Sequence, residues 1–138
     1  MSGFFVTGTD TEVGKTLVSA WLLTQLDGSY WKPIQAGTVP TTDSATVQSL
    51  AELPVSRVLP EAYLLPEPMA PHESARRANI AMDMEKLKLP HHDGLVVVEG
   101  AGGLMVPIVE GAYMIDLADA LDLPIILVAR STLGTINH

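Results

Sequence analysis

Three short apolar runs do most to limit what this chain can fold into. They are "FFVTG" (Phe4–Gly8), "DGLVVVEGAGG" (Asp93–Gly103) and "LPIILVAR" (Leu123–Arg130). Each has strand length and an apolar centre, which describes a buried strand rather than a half-exposed one. Between them lie segments of helical length. "KTLVSAWLLTQL" (Lys15–Leu26) is apolar on most faces and is expected as a covered helix that stops at Asp27-Gly28. "MIDLADALDL" reads as another helix. Buried strands alternating with helices predict an α/β fold whose mainly parallel central sheet is covered on both faces.

The intervening stretches fill in this plan. "SYWKPIQ" (Ser29–Gln35) reads as one strand whose far end is restricted by Pro33. Asp43 is placed to cap a helix over "SATVQSLAEL", which ends at Pro54. The five prolines at 54, 60, 66, 68 and 71 predict a long extended connection, with a short strand at "AYLL". "HESARRANIAMDMEKLKL" (His72–Leu89) is expected to be mostly helical, as one helix or two short ones. No internal repeat or low-complexity tract interrupts the pattern. Residues 1–138 are therefore expected to form one α/β domain. Because "STLGTINH" starts a helix and then stops, that domain is expected to be incomplete at its C-terminus.

The turn after the first strand is "GTDTEVGKT" (Gly8–Thr16). It ends as a phosphate-binding loop does, but the strict spacing would place the first glycine at position 9, where Thr9 stands. Gly14, Lys15 and Thr16 are intact, so the loop reads as a variant of that motif. Its backbone N–H groups and the positive end of the following helix suit an anion. Lys15 has the reach for terminal phosphates, and the Thr16 hydroxyl suits Mg²⁺. Thr11, Glu12, Val13, Gly14, Lys15 and Thr16, with Glu99, form the expected nucleotide-binding set. Strand, loop and helix in this order make the fold class a three-layer P-loop NTPase-like α/β fold.

Other residues acquire meaning beside such a loop. Glu99 closes "LVVVE", where phosphoryl-transfer enzymes of this class keep a carboxylate for Mg²⁺, more often Asp. Asp43 is open to two readings, a plain N-cap or a second metal ligand. Lys32, in the apolar and aromatic "YWKPI", must meet an anion or reach solvent. Phosphate contact and surface exposure stand equal for it. "GAGG" (Gly100–Gly103) reads as a glycine-rich loop into which the strand runs, and is expected to line the site. His72 and Asn137 read as capping residues, Arg76 and Arg77 as solvated helix charges, and Met82 and Met105 as filler. The His91-His92 pair lacks metal-like spacing.

Composition excludes several classes. Of 138 residues, 47% are apolar and 17% charged, which argues against disorder. A net charge of −8 disfavours nucleic acid and anionic lipid as partners. With no cysteine, disulfides and thiolate chemistry are out, in keeping with a cytoplasmic location. No apolar run is long enough to span a bilayer, so no membrane role is expected.

Taken together, "FFVTGTDTEVGKT", "WKPIQAG", "TDSA", "APH", "VVVEGAGGLMVP" and "LGTINH" closely resemble the dethiobiotin synthetase family, in that family's order and across the whole chain. The early glycine is what this family's loop looks like. The resemblance implies an ATP-dependent cyclo-ligase of biotin biosynthesis. Diaminopelargonate takes up CO2 as a carbamate, which is phosphorylated and then closed to a cyclic urea. It implies Lys15 and Lys32 as catalytic residues, with Thr16, Asp43 and Glu99 holding Mg²⁺. It implies Thr11, Glu12 and Lys32 on the substrate. It further implies that Gly134, Thr135, Ile136 and Asn137 bind the substrate carboxylate across a homodimer interface. Ala36 stands where the family often has Ser or Thr, and family members continue well past residue 138.

Other readings remain. A partition or positioning ATPase of the P-loop class would cycle ATP to control assembly, but its loop typically begins with lysine and paired glycines. A cobyrinate-type amidating synthetase would bring a glutaminase domain. A truncated, inactive nucleotide-binding fragment is the third.

Overall fold

The computed structural model describes residues 2–138. In chain order the elements are β1 (Gly3–Gly8), α1 (Lys15–Gln25), β2 (Gly28–Trp31), β3 (Ile34–Ala36), α2 (Asp43–Leu50), β4 (Val58–Leu59) and β5 (Tyr63–Leu65). There follow α3 (Pro71–Arg77), β6 (Leu95–Gly103), β7 (Pro107–Val109), β8 (Ala112–Tyr113), α4 (Met114–Leu121) and β9 (Ile125–Val128). Short 3-10 turns occupy Val55–Arg57, Met84–Lys86 and Thr135–Asn137.

The central sheet has five strands in the order β4-β2-β6-β1-β9, and every pairing in it is parallel. Phe5 lies opposite Val98 and Val6 opposite Glu99, while Tyr30 lies opposite Val97. Side chains alternate across the sheet, so β1, β2 and β6 feed two cores, whereas β9, expected as a buried strand, lies at the sheet edge with Ile125 and Leu127 exposed. On one face Val6, Tyr30 and Val97 pack with Ala20 and Leu23 of α1 and Val47 of α2. On the other, Phe5, Trp31, Val96 and Val98 pack with Met114 and Leu117 of α4. The fold is the three-layer, P-loop NTPase-like α/β arrangement expected from the apolar runs. Among the described residues no helix is long and apolar enough to cross a membrane.

Several boundaries differ from expectation, each for a local reason. The predicted strand over 29–35 is two strands. Pro33 offers no N–H to a ladder, and beyond it β3 leaves the main sheet to pair with β5. Asp43 is not a cap. Thr42 is, its hydroxyl accepting from the Ala45 N–H at 3.2 Å. Helix α2 stops at Leu50, because Glu52 turns left-handed (φ 52°) ahead of Pro54. The segment 72–89 is helical only at Pro71–Arg77 and in one 3-10 turn. Its cap position is Ala70 rather than His72, since Pro71 fits the first helical turn. Arg76 and Arg77 are exposed but not merely solvated, since both pair with Glu73. Glycines 100–103 are not a loop, because β6 runs through them beside β1. Finally, α1 is covered on one side only. Leu17 and Trp21, one turn apart, are 65% and 60% exposed.

Candidate functional site

Parallel pairing brings the carboxyl ends of β1, β2 and β6 to one sheet edge, where open α/β sheets hold ligands. The 9–14 loop leaves β1 there. Gly8 is required by close approach, since a Cβ on it would lie 2.6 Å from Val13 Cγ2 and 3.1 Å from the Asp10 carbonyl oxygen. The residue that breaks the strict spacing is absorbed in the turn. The Thr11 N–H donates to Asp10 Oδ1 at 2.7 Å, and Glu12 takes a left-handed φ of 55°. Gly14 then opens α1 at φ 108°, a conformation suited to glycine, and no side chain caps that helix. The first N–H groups of α1 thus face the loop uncapped, a geometry that suits an anion.

Lys15 lies across this turn and donates from Nζ to the Asp10 carbonyl at 2.8 Å. Burial, followed by repulsion from Lys32, pushes its ammonium below the usual lysine range. Thr16 donates its hydroxyl to Glu99 Oε1 at 2.7 Å, which leaves its oxygen lone pairs to face outward.

Glu99 is fully buried. Besides Thr16 it accepts from the Tyr30 hydroxyl at Oε2, with the Lys32 ammonium 3.6 Å away. Lys32 is neither exposed nor free. Its Nζ lies 2.9 Å from Asp43 Oδ2 and donates to the Gly100 carbonyl at 2.8 Å. Burial opposes its charge, but the attraction of Glu99 and then Asp43 outweighs burial and holds its ammonium above the usual range. Releasing Asp43 from a capping role is what lets its carboxylate turn to Lys32. Two carboxylates therefore meet at the Lys32 ammonium, and one of them, Glu99, also holds the Thr16 hydroxyl. These are hard oxygen donors, the set that Mg²⁺ takes when phosphate and water complete its shell.

A cleft of about 700 Å³ opens over this cluster. Thr11, Glu12, Gly14, Lys15 and Thr16 line one side, and Lys32, Gln35, Ala36 and Asp43 the other. Pro68–Pro71, Ala101, Gly102 and Val106 complete it. Of the residues singled out from sequence, Val13 packs into the core beside α1, and Glu99 lies beneath the cleft rather than on its wall. Gly134, Thr135, Ile136 and Asn137 are not brought here. They line a separate shallow depression with Thr132 and Leu133, and Ile136 is wholly exposed.

Two contributors escaped the sequence reading. Gln35 accepts the Asp43 N–H at 2.9 Å and donates to the Gly37 carbonyl at 2.9 Å, which pins the start of α2 beside the cleft. Tyr30 reaches Glu99 from β2. The available signal was spacing. Tyr30 lies in β2 two residues before Lys32, and its position opposite Val97 puts it on the face that Glu99 also occupies.

The resemblance noted from the sequence holds over the full chain. An ATP-dependent dethiobiotin synthetase of Paramagnetospirillum magneticum is 56% identical over all 138 residues, which cover 66% of that relative. One from Rhodopseudomonas palustris is 52% identical over 133 residues, 96% of this chain and 62% of the relative. A biotin biosynthesis bifunctional protein of Bordetella avium is 54% identical over 137 residues, 99% of this chain and 30% of the relative. The chain thus spans just under two thirds of the length of the single-function relatives. A family model described as an AAA domain matches residues 2–138, and the chain belongs to that family.

Proposed function

We propose that the chain carries the nucleotide and phosphoryl-transfer site of an ATP- and Mg²⁺-dependent dethiobiotin synthetase. The observation that carries this reading is a second buried lysine, Lys32, fixed between Asp43 and Glu99 in the same cleft as Lys15 and Thr16. A switch ATPase needs a triphosphate loop. It does not need a further buried cation aimed at the space beyond the loop.

In the proposed reaction one amine of diaminopelargonate adds to CO2 and loses a proton, giving a carbamate. A carbamate oxygen attacks the γ-phosphorus of ATP, ADP departs, and a carbamic-phosphoric anhydride remains. The second amine attacks the carbonyl carbon, the C–O bond to phosphate breaks, and the cyclic urea closes. Carbamate and triphosphate are both anions, so the protein must hold them in line and neutralise charge as it moves. The 9–14 loop and the start of α1 would hold the phosphates. Lys15 would leave the Asp10 carbonyl for the terminal phosphate. Lys32 would face the carbamate and the transferring group. Thr16, Asp43 and Glu99 would hold Mg²⁺, which neutralises phosphate charge when bound. Thr11 and Glu12 would meet the diamine from the loop. Gly134–Asn137 lie outside this cleft, so the role on the substrate carboxylate that the resemblance implies for them would call on a second copy of the chain, as a homodimer would provide.

The test is phosphate release from Mg·ATP by the purified chain, with and without diaminopelargonate and bicarbonate. Release should require both, in step with dethiobiotin formation. Hydrolysis indifferent to both substrates contradicts the reading and favours a switch.

A further inference from the structure

Tyr30 has a side chain that packing alone does not explain. Its ring lies in the core between the sheet and α1 and α2, with Val6, Val47 and Val97 in the same cluster, and the residue is fully buried. Phenylalanine would fill that space without bringing a polar atom into it, and a buried hydroxyl is costly unless paired. The Tyr30 hydroxyl has one partner, Oε2 of the equally buried Glu99. The hydroxyl is therefore accounted for by the carboxylate.

We propose that Tyr30 is a positioning residue for the metal–nucleotide site, acting through Glu99. A glutamate has three side-chain torsions and must be anchored at more than one point to present a fixed carboxylate plane. Thr16 supplies one anchor at Oε1 and Tyr30 the other at Oε2. Lys32 cannot take over, because it sits 3.6 Å from Oε2 and is engaged by Asp43 and Gly100. With its plane held from below, Glu99 keeps Oε1 turned to the Thr16 hydroxyl proton. Thr16 then presents lone pairs, not a proton, to a divalent cation. Tyr30 lies opposite Val97 and reaches diagonally to Glu99, so the rigid register of β2 on β6 sets the carboxylate's direction. The relay runs from Tyr30 to Glu99, from Glu99 to Thr16, and from Thr16 to the metal.

This rests on the metal–nucleotide part of the proposed function and is independent of ring closure. The test compares the chain with Tyr30→Phe by Mn²⁺ titration, followed by electron paramagnetic resonance, with a non-hydrolysable ATP analogue present. Residues that orient a metal's ligands typically matter about tenfold or more in metal affinity. Tyr30→Phe should accordingly weaken Mn²⁺ about tenfold, while affinity for the analogue in EDTA stays the same. The effect should vanish in the Glu99→Gln background, because Tyr30 works through that carboxylate alone. Equal Mn²⁺ affinity, a parallel loss of metal-free nucleotide affinity, or an undiminished effect in Glu99→Gln overturns the assignment. Should Tyr30→Phe not fold, 3-fluorotyrosine at position 30 carries the test. Its ¹⁹F resonance must shift when Mg²⁺ joins the nucleotide complex, and an unmoved resonance overturns the assignment. A wild-type chain that binds metal nucleotide without turnover would contradict ring closure only, and the Tyr30 comparison is then read unchanged.

Discussion

Replacing Glu99 by glutamine changes charge without changing shape, and its cost can be worked from the contacts. The carboxylate accepts from Thr16 at 2.7 Å and from Tyr30, and lies 3.6 Å from Lys32. An amide there is not left unpaired. One hydroxyl can donate to Oε1, and the other can accept from Nε2. What is lost is the charge in two hydrogen bonds, about 1 kcal/mol each, the gap between charge-assisted and neutral bonds. The ion pair contributes less than it suggests. At 3.6 Å its attraction is roughly 4–5 kcal/mol with an effective dielectric constant of about 20. Burying the carboxylate costs several kcal/mol, which offsets most of that. Lys32 also keeps Asp43 and the Gly100 carbonyl. The expected loss is therefore about 2 kcal/mol, read as a melting temperature lower by roughly 6–10 °C for a chain of this size. Calorimetry at pH 7 measures it. An unchanged or raised melting temperature refutes the claim that the buried carboxylate is a net stabilising acceptor.

Other outcomes follow from the same site. Lys15→Met should abolish nucleotide binding with no loss of stability. Because Lys15 is pushed down by burial and by Lys32, its protonated form costs folding free energy, and wild type should gain on the mutant as pH rises towards 10.5. Loss of stability in Lys15→Met at neutral pH would contradict this. Lys32 has the opposite sign. Its value is raised, so its contribution is full below the ordinary lysine value of 10.5 and fades only as pH climbs through the higher folded value. Urea midpoints should show no Lys32-dependent step between pH 6 and pH 9. Gly8→Ala places a Cβ 2.6 Å from Val13 Cγ2. The turn must shift, with stability falling by about 1–3 kcal/mol and nucleotide affinity falling with it in titration calorimetry.

How much of this was legible in the sequence depends on the range of each determinant. The sheet was legible because Val96, Val97 and Val98 form a short β-branched apolar run bounded by glycines, as in a strand covered on both faces. The loop was legible because Gly14-Lys15-Thr16 is a local motif, and the cleft does gather Thr11, Glu12, Lys15 and Thr16. Lys32 could be flagged but not resolved, since its fate depends on two carboxylates 11 and 67 positions away. Of the two readings of Asp43, the cap failed because Thr42, one residue earlier, takes that role, while Gln35 holds the Asp43 N–H. Tyr30 left only one signal, its two-residue spacing from Lys32. In sequence it is one more aromatic in a strand, and only the register of β2 on β6 brings its hydroxyl to Glu99. The open side of α1 was missed because composition counts Leu17 and Trp21 as core formers, whereas both are mostly exposed.

The central claim is that the corner between β1 and α1 receives a magnesium triphosphate. Backbone amide NMR on addition of Mg²⁺ and a non-hydrolysable ATP analogue addresses it directly. The account predicts that the amides of residues 10–16 shift most, and that Lys15→Ala abolishes the shifts while the rest of the spectrum is retained. Shifts centred elsewhere, with residues 10–16 unmoved, or an unaltered response in Lys15→Ala, would contradict it.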